Sequence, residues 1–377
     1  MASLQVQPVH RLAGLEALRF FCAVAVVLWH YQAYFFQTQP TRSDLPIYRL
    51  LWPFYESGVN AVPWFWVLSG FVLAMNYNER IKSGTTSCWR FFVLRFSRLY
   101  PLHIFSLILV IAMQFVFFLA TGEHYRHYAE QTGQAPYWSS LLLQLFMASN
   151  WFSSVFTFNG PIWSVSVEIL IYALFFVLAR FGIANGPTRS IIIAVVAIAL
   201  HRYLTHSGRG AFAPLVNCLA CFYLGVFIWQ AGNSSIGETI LNTPKWRNLL
   251  LVLAATTTCI VAYLRPTYAI VFVAPTVVIA ALAFTARISA NPAITAIAPL
   301  GNLTYGTYLL HFPVALAFLT AIEIFGIDRT AAYSPMMLIL YLVTVTALAA
   351  VSFVYLEQPA QNLLRSLRRP KASEALR

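Results

Sequence analysis

Long apolar runs separated by short polar breaks occupy this chain almost from end to end. Runs that approach or exceed about 20 residues have the length a helix needs to cross the hydrocarbon core of a bilayer. They fall at residues 15–36, 58–77, 98–120, 162–182, 190–204, 211–230, 247–264, 268–286, 302–325 and 336–356. The pattern predicts an all-α, polytopic transmembrane helix bundle of about ten spans. One more apolar segment, 138–156, reads as a partial or re-entrant helix. With an even number of spans both termini share a side, and most lysines and arginines then fall on that side, which the positive-inside rule makes cytosolic. Counting 138–156 as a full span would reverse every later loop and expel the basic C-terminal tail.

The first run is expected to stay as an anchor, because it carries Arg19 and His30 and lacks a small-residue cleavage pattern. The expected organisation is a single transmembrane domain over 1–377, with its core at about 12–361 and a short basic cytosolic tail at 362–377. The longest polar loop, Thr121–Pro136, holds Glu123, His124, Arg126, His127 and Glu130 and falls on the outer side, where it reads as a solvated loop.

Composition strengthens this picture. Of 377 residues, 59% are hydrophobic and 10% charged, whereas a soluble domain carries about 25% charged residues. Too little polar surface remains to coat a water-soluble globule. Lys and Arg outnumber Asp and Glu by 24 to 12, but the excess sits in the inward loops and the tail. It is an orientation signal and not a nucleic-acid footprint. Five cysteines, scattered through apolar runs, do not form a disulfide framework, and the lone C-x-x-C at Cys218 and Cys221 has no second pair with which to hold a metal.

An ionisable side chain inside a membrane helix costs at least a few kcal/mol at the bilayer centre, so it turns toward protein or a wet cavity. In LRFFCAVAVVLWH, residues 18–30, Arg19 and His30 are eleven positions apart. Eleven steps of about 100° bring them onto one helix face, about 16 Å apart along the axis. Glu16, three residues before Arg19, can pair with it. NGPIWSVSVEILIY (159–172) places Trp163, Ser164, Ser166 and Glu168 at the start of a span, with Glu168 the only carboxylate of that run. A carboxylate beside an imidazole would fix its tautomer and raise its basicity. WRFFVLRFSRLYPLH (89–103) gathers Arg90, Arg95 and Arg98 beside Tyr100 and His103, and guanidinium forks suit phosphate. GNLTYGTYLLHFPV (301–314) contributes Tyr305, Tyr308, His311 and Pro313. Each stretch also has a plainer reading: a snorkelling arginine, a helix start, topogenic charge, a proline kink.

Taken in order, these stretches resemble the acyltransferase 3 family of integral membrane acyltransferases, from about Leu12 to Gln361. Glu16, Arg19 and His30 match the family's acid, arginine and histidine of the first helix. WVLSGFVLA (66–74) resembles its second-helix signature, RFSRLYPLH its basic turn and WSVSVEILIY its tryptophan, serine and glutamate motif. GNLTYGTYLLHFP is similar to the late tyrosine and histidine segment, and LEQPA to the terminal glutamate and proline. The chain departs from the pattern at Asn60 and Pro63, where an aspartate is usual, at Ile169–Ile171, and at Gln361 in place of a basic residue, which leaves Glu357 little functional weight.

The resemblance implies an enzyme of the bacterial inner membrane that moves an acyl group, acetyl most often, from acyl-CoA to a hydroxyl of a saccharide, glycolipid or similar acceptor, without a metal. His30 is the expected general base, Glu168 its orienting acid and Arg19 a residue of the donor path. Arg90, Arg95, Arg98, Tyr100 and His311 are expected to hold acyl-CoA, and Trp163, Ser164, Ser166, Tyr305 and Tyr308 the acceptor. A proton-coupled transporter of a polar solute, or a non-catalytic partner of a glycan assembly system, would share the buried charges.

Overall fold

The computed structural model describes residues 12–36, 44–122, 137–151, 158–263, 270–285 and 290–366, and among them the regular structure is entirely helical. Most of the 121–136 loop and the tail from 367 onward lie outside the described residues. The helices that match apolar runs are α1 (Ala13–Phe35), α3 (Ala61–Lys82), α4 (Cys88–Thr121), α6 (Ile162–Arg180), α7 (Pro187–His206), α8 (Ala213–Gly232), α10 (Pro244–Tyr263), α11 (Ile270–Phe284), α13 (Thr304–Ile324) and α14 (Pro335–Ser352). Short helices connect them: α2 (Tyr48–Ser57), α5 (Tyr137–Leu145), α9 (Ser235–Asn242), α12 (Pro292–Ile297) and α15 (Gln358–Ser366).

Every predicted run is therefore helical over its described residues. Eight of the helical stretches are long and apolar enough to cross a membrane; α10 and the 15-residue α11 are not among them. The described part of 138–156 contains only the nine-residue α5, too short to span. Large apolar side chains face outward in bands, such as Ile192, Val195 and Val196 on α7 and Met336, Leu340 and Val343 on α14. In water that surface would be an aggregation hazard; in lipid it is the ordinary exterior of an integral membrane protein.

Because lipid is as apolar as a leucine side chain, helices in a membrane associate through close packing and polar contacts. The α3–α8 crossing shows how close. A Cβ placed on Gly70 would lie 1.9 Å from the Phe222 carbonyl oxygen, and one on Gly225 would lie 2.0 Å from that of Val67. The two backbones touch at glycines set opposite each other. Around them Trp66, Phe71, Phe175 and Phe222 bury completely or nearly so and lock α3, α6 and α8 together. A second cluster, with Tyr31, Phe35, Phe312 and Tyr341, joins the far half of α1 to α13 and α14.

Prolines are accommodated by named partners. Pro313 inside α13 lacks an N–H, which frees the carbonyl of Leu309 four residues earlier. Asn159 satisfies it: its Nδ2 donates to Leu309 O at 3.1 Å and to Ser106 Oγ of α4 at 3.0 Å. Near the end of the chain, a π turn at Phe353–Glu357 lies between α14 and α15, just before Pro359. Such wide turns relieve the clash between a proline ring and the preceding carbonyl. This one carries Glu357, buried, back toward the bundle.

Candidate active site

A cavity of about 510 Å³ lies among α1, α3, α4, α6, α13 and the terminal π turn and α15. Its wall brings together Glu16 and Arg19, Arg95 and Arg98, and Glu168 and Glu357. Helical geometry explains the grouping. Arg95 and Arg98 are three residues apart on one face of α4, whose start is fixed by Ser87 Oγ accepting from the Arg90 N–H at 3.2 Å. Gly301, in the turn preceding α13, packs so tightly on α1 that a Cβ there would meet Glu16.

The three guanidiniums are held differently. Arg19 is ion-paired to Glu16 at 3.3 Å, both side chains a third exposed or less. Arg95 donates to Tyr77 Oη at 2.9 Å. Arg98 makes no hydrogen bond or ion pair to any described residue; Arg19 and Arg95 stand close enough to repel it, and Glu16, Glu168 and Glu357 close enough to attract it at longer range. Concentrated positive charge with one uncommitted guanidinium suits an anionic ligand. Glu168 accepts from the Tyr172 hydroxyl at 2.7 Å, and Ser69 lines the same wall.

In the same wall the Ser164 and Tyr308 hydroxyls lie 2.7 Å apart. Trp66 Nε1 donates to the Ser164 carbonyl at 3.3 Å, and Phe65 lies edge-on to Tyr308, centroids 5.7 Å apart. Beyond Tyr308 comes a pair of imidazoles. His30 and His311 have ring centroids 5.0 Å apart, and Tyr34 stacks on both, at 5.2 and 5.9 Å. His30 Nδ1–H donates to the Val26 carbonyl at 3.0 Å and His311 Nδ1–H to that of Tyr308 at 2.6 Å. A carbonyl can only accept, so each ring presents its Nε2 as the basic nitrogen.

The structure thus divides the candidate residues. Arg19, Arg95, Arg98, Glu16, Glu168, Ser164, Tyr305 and Tyr308 share the cavity wall. His30 and His311 are not in that wall; they sit behind Tyr308. Glu168 is at the Arg19 level of α1 with Tyr172 and Ser69, and main-chain carbonyls, not Glu168, set the tautomers of both imidazoles. Arg90 is exposed at the start of α4, and Tyr100 stacks on Phe96 outside the wall. Trp163 packs edge-on against Trp66. Ser166 is buried, with its Oγ accepting from the Asn150 N–H and its carbonyl from Trp151 Nε1. Four residues were not singled out from sequence as site members: Ser69, Tyr77, Tyr172 and Glu357. Tyr172 carried a legible signal, since it lies one helical turn from Glu168. Tyr77, Ser69 and Glu357 enter through tertiary packing and the π turn, which periodicity does not reveal.

No solved structure matches this chain. Among curated proteins it is 29% identical over 333 residues to the acyltransferase MdmB of Streptomyces mycarofaciens, covering 81% of this chain and 79% of the relative. It is 30% identical over 203 residues to protein 2 in the picA locus of Rhizobium radiobacter, covering 51% of this chain and 94% of the relative. The acyltransferase domain that defines the acyltransferase 3 family matches residues 12–356, and this integral membrane chain belongs to that family.

Proposed function

We propose that the chain transfers an acyl group, acetyl in the simplest case, from cytosolic acyl-CoA to a hydroxyl of a saccharide or glycolipid in the bacterial inner membrane. The observation that carries this reading is the convergence of Arg19, Arg95 and Arg98 in one cavity, with Arg98 uncommitted. Acyl-CoA is polyanionic at one end and slender at the other. Its phosphates suit the arginines, and its pantetheine arm can extend along the same wall toward Ser164 and Tyr308.

The acceptor approaches from the His30 end. His30 Nε2 takes the hydroxyl proton as oxygen attacks the thioester carbon. Ser164 Oγ and Tyr308 Oη are hydrogen-bonded to each other, so whichever accepts in that pair keeps its proton to donate to the oxyanion that forms. The C–S bond then breaks, and the proton that His30 took returns to the departing sulfur, so that alcohol and thioester become ester and thiol. Glu168, with Tyr172 and Ser69, supplies counter-charge to the arginines at the donor end.

Purified protein in lipid nanodiscs, given radiolabelled acetyl-CoA and a glycolipid extract from cells lacking the protein, should place label on an ester-linked product. His30→Ala should abolish transfer without loss of folding. Label transfer undiminished in that variant, or solute uptake by proteoliposomes without any acyl donor, would overturn the reading.

A further inference from the structure

The short terminal helix α15 lies against the bundle with its faces reversed. Gln358, Gln361, Asn362 and Arg365 all line the cavity. At i, i+3, i+4 and i+7 they form one stripe about 100° wide. Ala360 and Leu363 fall on the opposite face, and Leu363 is 61% exposed. A helix kept only to close the bundle would turn Leu363 inward and its amides to water. The orientation is fixed from the start of the helix: Glu357, the last residue of the π turn, is buried and accepts from Ser352 Oγ at 3.2 Å. From there α15 packs along α4, the helix that carries Arg95 and Arg98.

The stripe borders the open end of the cavity. Gln358, Asn362 and Arg365 are exposed and Gln361 is half-buried, whereas Ser164 and Tyr308 of the same wall are buried. Arg365 Nη2 donates to Gln361 Oε1 at 3.1 Å, which ties the cation to the stripe. The Gln358 and Asn362 amides, one turn apart, make no hydrogen bond to any described residue. Each offers a donor and an acceptor side by side, the pattern that pairs bidentately with N6 and N7 of adenine. A site for anions alone would need cations here and not amides.

We propose that the cavity-facing stripe of α15 is the subsite for the nucleotide end of the donor, with the Gln358 and Asn362 amides reading the N6–N7 edge of adenine and Arg365 pairing with the ribose 3′-phosphate. This rests on the acyl-CoA reading above and follows from the order of groups along that molecule. The thioester and the adenosine lie on opposite sides of the diphosphate. With the thioester at Ser164 and Tyr308 and the diphosphate at Arg95 and Arg98, the adenosine falls at the open end, where α15 stands. The helix thus gives the cavity a preference for one nucleotide, beyond the attraction of three arginines for any polyanion.

The test titrates nanodisc-embedded protein with three probes: CoA, etheno-CoA, whose adenine N1 and N6 are bridged, and dephospho-CoA, which lacks the 3′-phosphate. The wild type should bind etheno-CoA about 5–10-fold more weakly than CoA, and dephospho-CoA about 3–10-fold more weakly. In the double variant Gln358→Ala, Asn362→Ala the etheno gap should close while the phosphate gap persists. Arg365→Gln should do the reverse. Each gap is a ratio within one protein, so a general loss of affinity or of folded fraction cancels. If the double variant binds no probe, Asn362→Ala alone supplies the ratio. A wild type that binds CoA and etheno-CoA alike, or variants that keep both gaps, would overturn the subsite and leave the acyl-CoA reading standing; a wild type that binds no CoA would remove both.

Discussion

The two ends of α1 are built by opposite means. At the Arg19 end, guanidiniums and carboxylates crowd into a cavity and balance one another at hydrogen-bond or longer range. At the His30 end, among the described residues, the ring cluster holds no carboxylate: two imidazoles are packed among Tyr34, Tyr308 and Phe312, and main-chain carbonyls accept from the Nδ1–H of each. One end is a place to hold charge. The other, in the proposed transfer, moves a proton without holding charge for long. Under the proposed transfer, the difference separates binding from chemistry along a single helix, with the Ser164–Tyr308 contact between them.

If that separation is real, substitutions at the two ends should fail in different ways. The largest effect is expected from His30→Ala, which should reduce transfer about 10²–10⁴-fold while calorimetry finds acetyl-CoA binding unchanged. Loss of donor binding in this variant would erase the distinction between the ends. Next comes Arg98→Ala. Charge-assisted hydrogen bonds contribute about 1.5–3 kcal/mol, so donor Kd should rise about 10–100-fold with kcat at saturating donor preserved. A fall in kcat at unchanged Kd would move Arg98 from binding into chemistry. Tyr77→Phe removes only the anchor of Arg95 and should weaken donor binding about 2–10-fold, the equivalent of roughly 0.5–1.5 kcal/mol.

Two effects on stability complete the series. Asn159→Ala strands the Leu309 carbonyl freed by Pro313 and should destabilise the protein by about 1–3 kcal/mol, read as a lowered melting temperature in detergent. Glu16→Gln breaks a partly exposed ion pair and should cost no more than about 1 kcal/mol of stability, although it releases Arg19 and so should tighten rather than weaken donor binding.

Much of the fold was legible because a bilayer imposes a simple rule: backbone polar groups must be satisfied within the segment, so every apolar run had to become a helix. The ten runs did. The site was legible in part, for a related reason. Charged residues are rare in such runs, so Arg19, Arg95, Arg98 and Glu168 announced themselves, and the cavity collects all four. What sequence could not supply was partnership. Glu168 and His30 each invited a partner, and pairing them was the economical guess, but Tyr172 lies one turn from Glu168 and the packing of α13 on α1 brought His311 to His30. Glu357 was discounted because its neighbour Gln361 breaks a pattern, yet both residues line the cavity, delivered there by the π turn. Such a turn leaves no periodic trace.

The paired glycines of α3 and α8 have a consequence for how ligand size is gauged. Ser69 in the cavity wall immediately precedes Gly70, and Phe222, whose carbonyl Gly70 touches, packs against Tyr172. A methyl group added at Gly70 or Gly225 would therefore wedge apart the two helices behind the wall and widen or skew the chamber. The calibre of the cavity is in this sense written in two hydrogen atoms, buried where the two backbones meet.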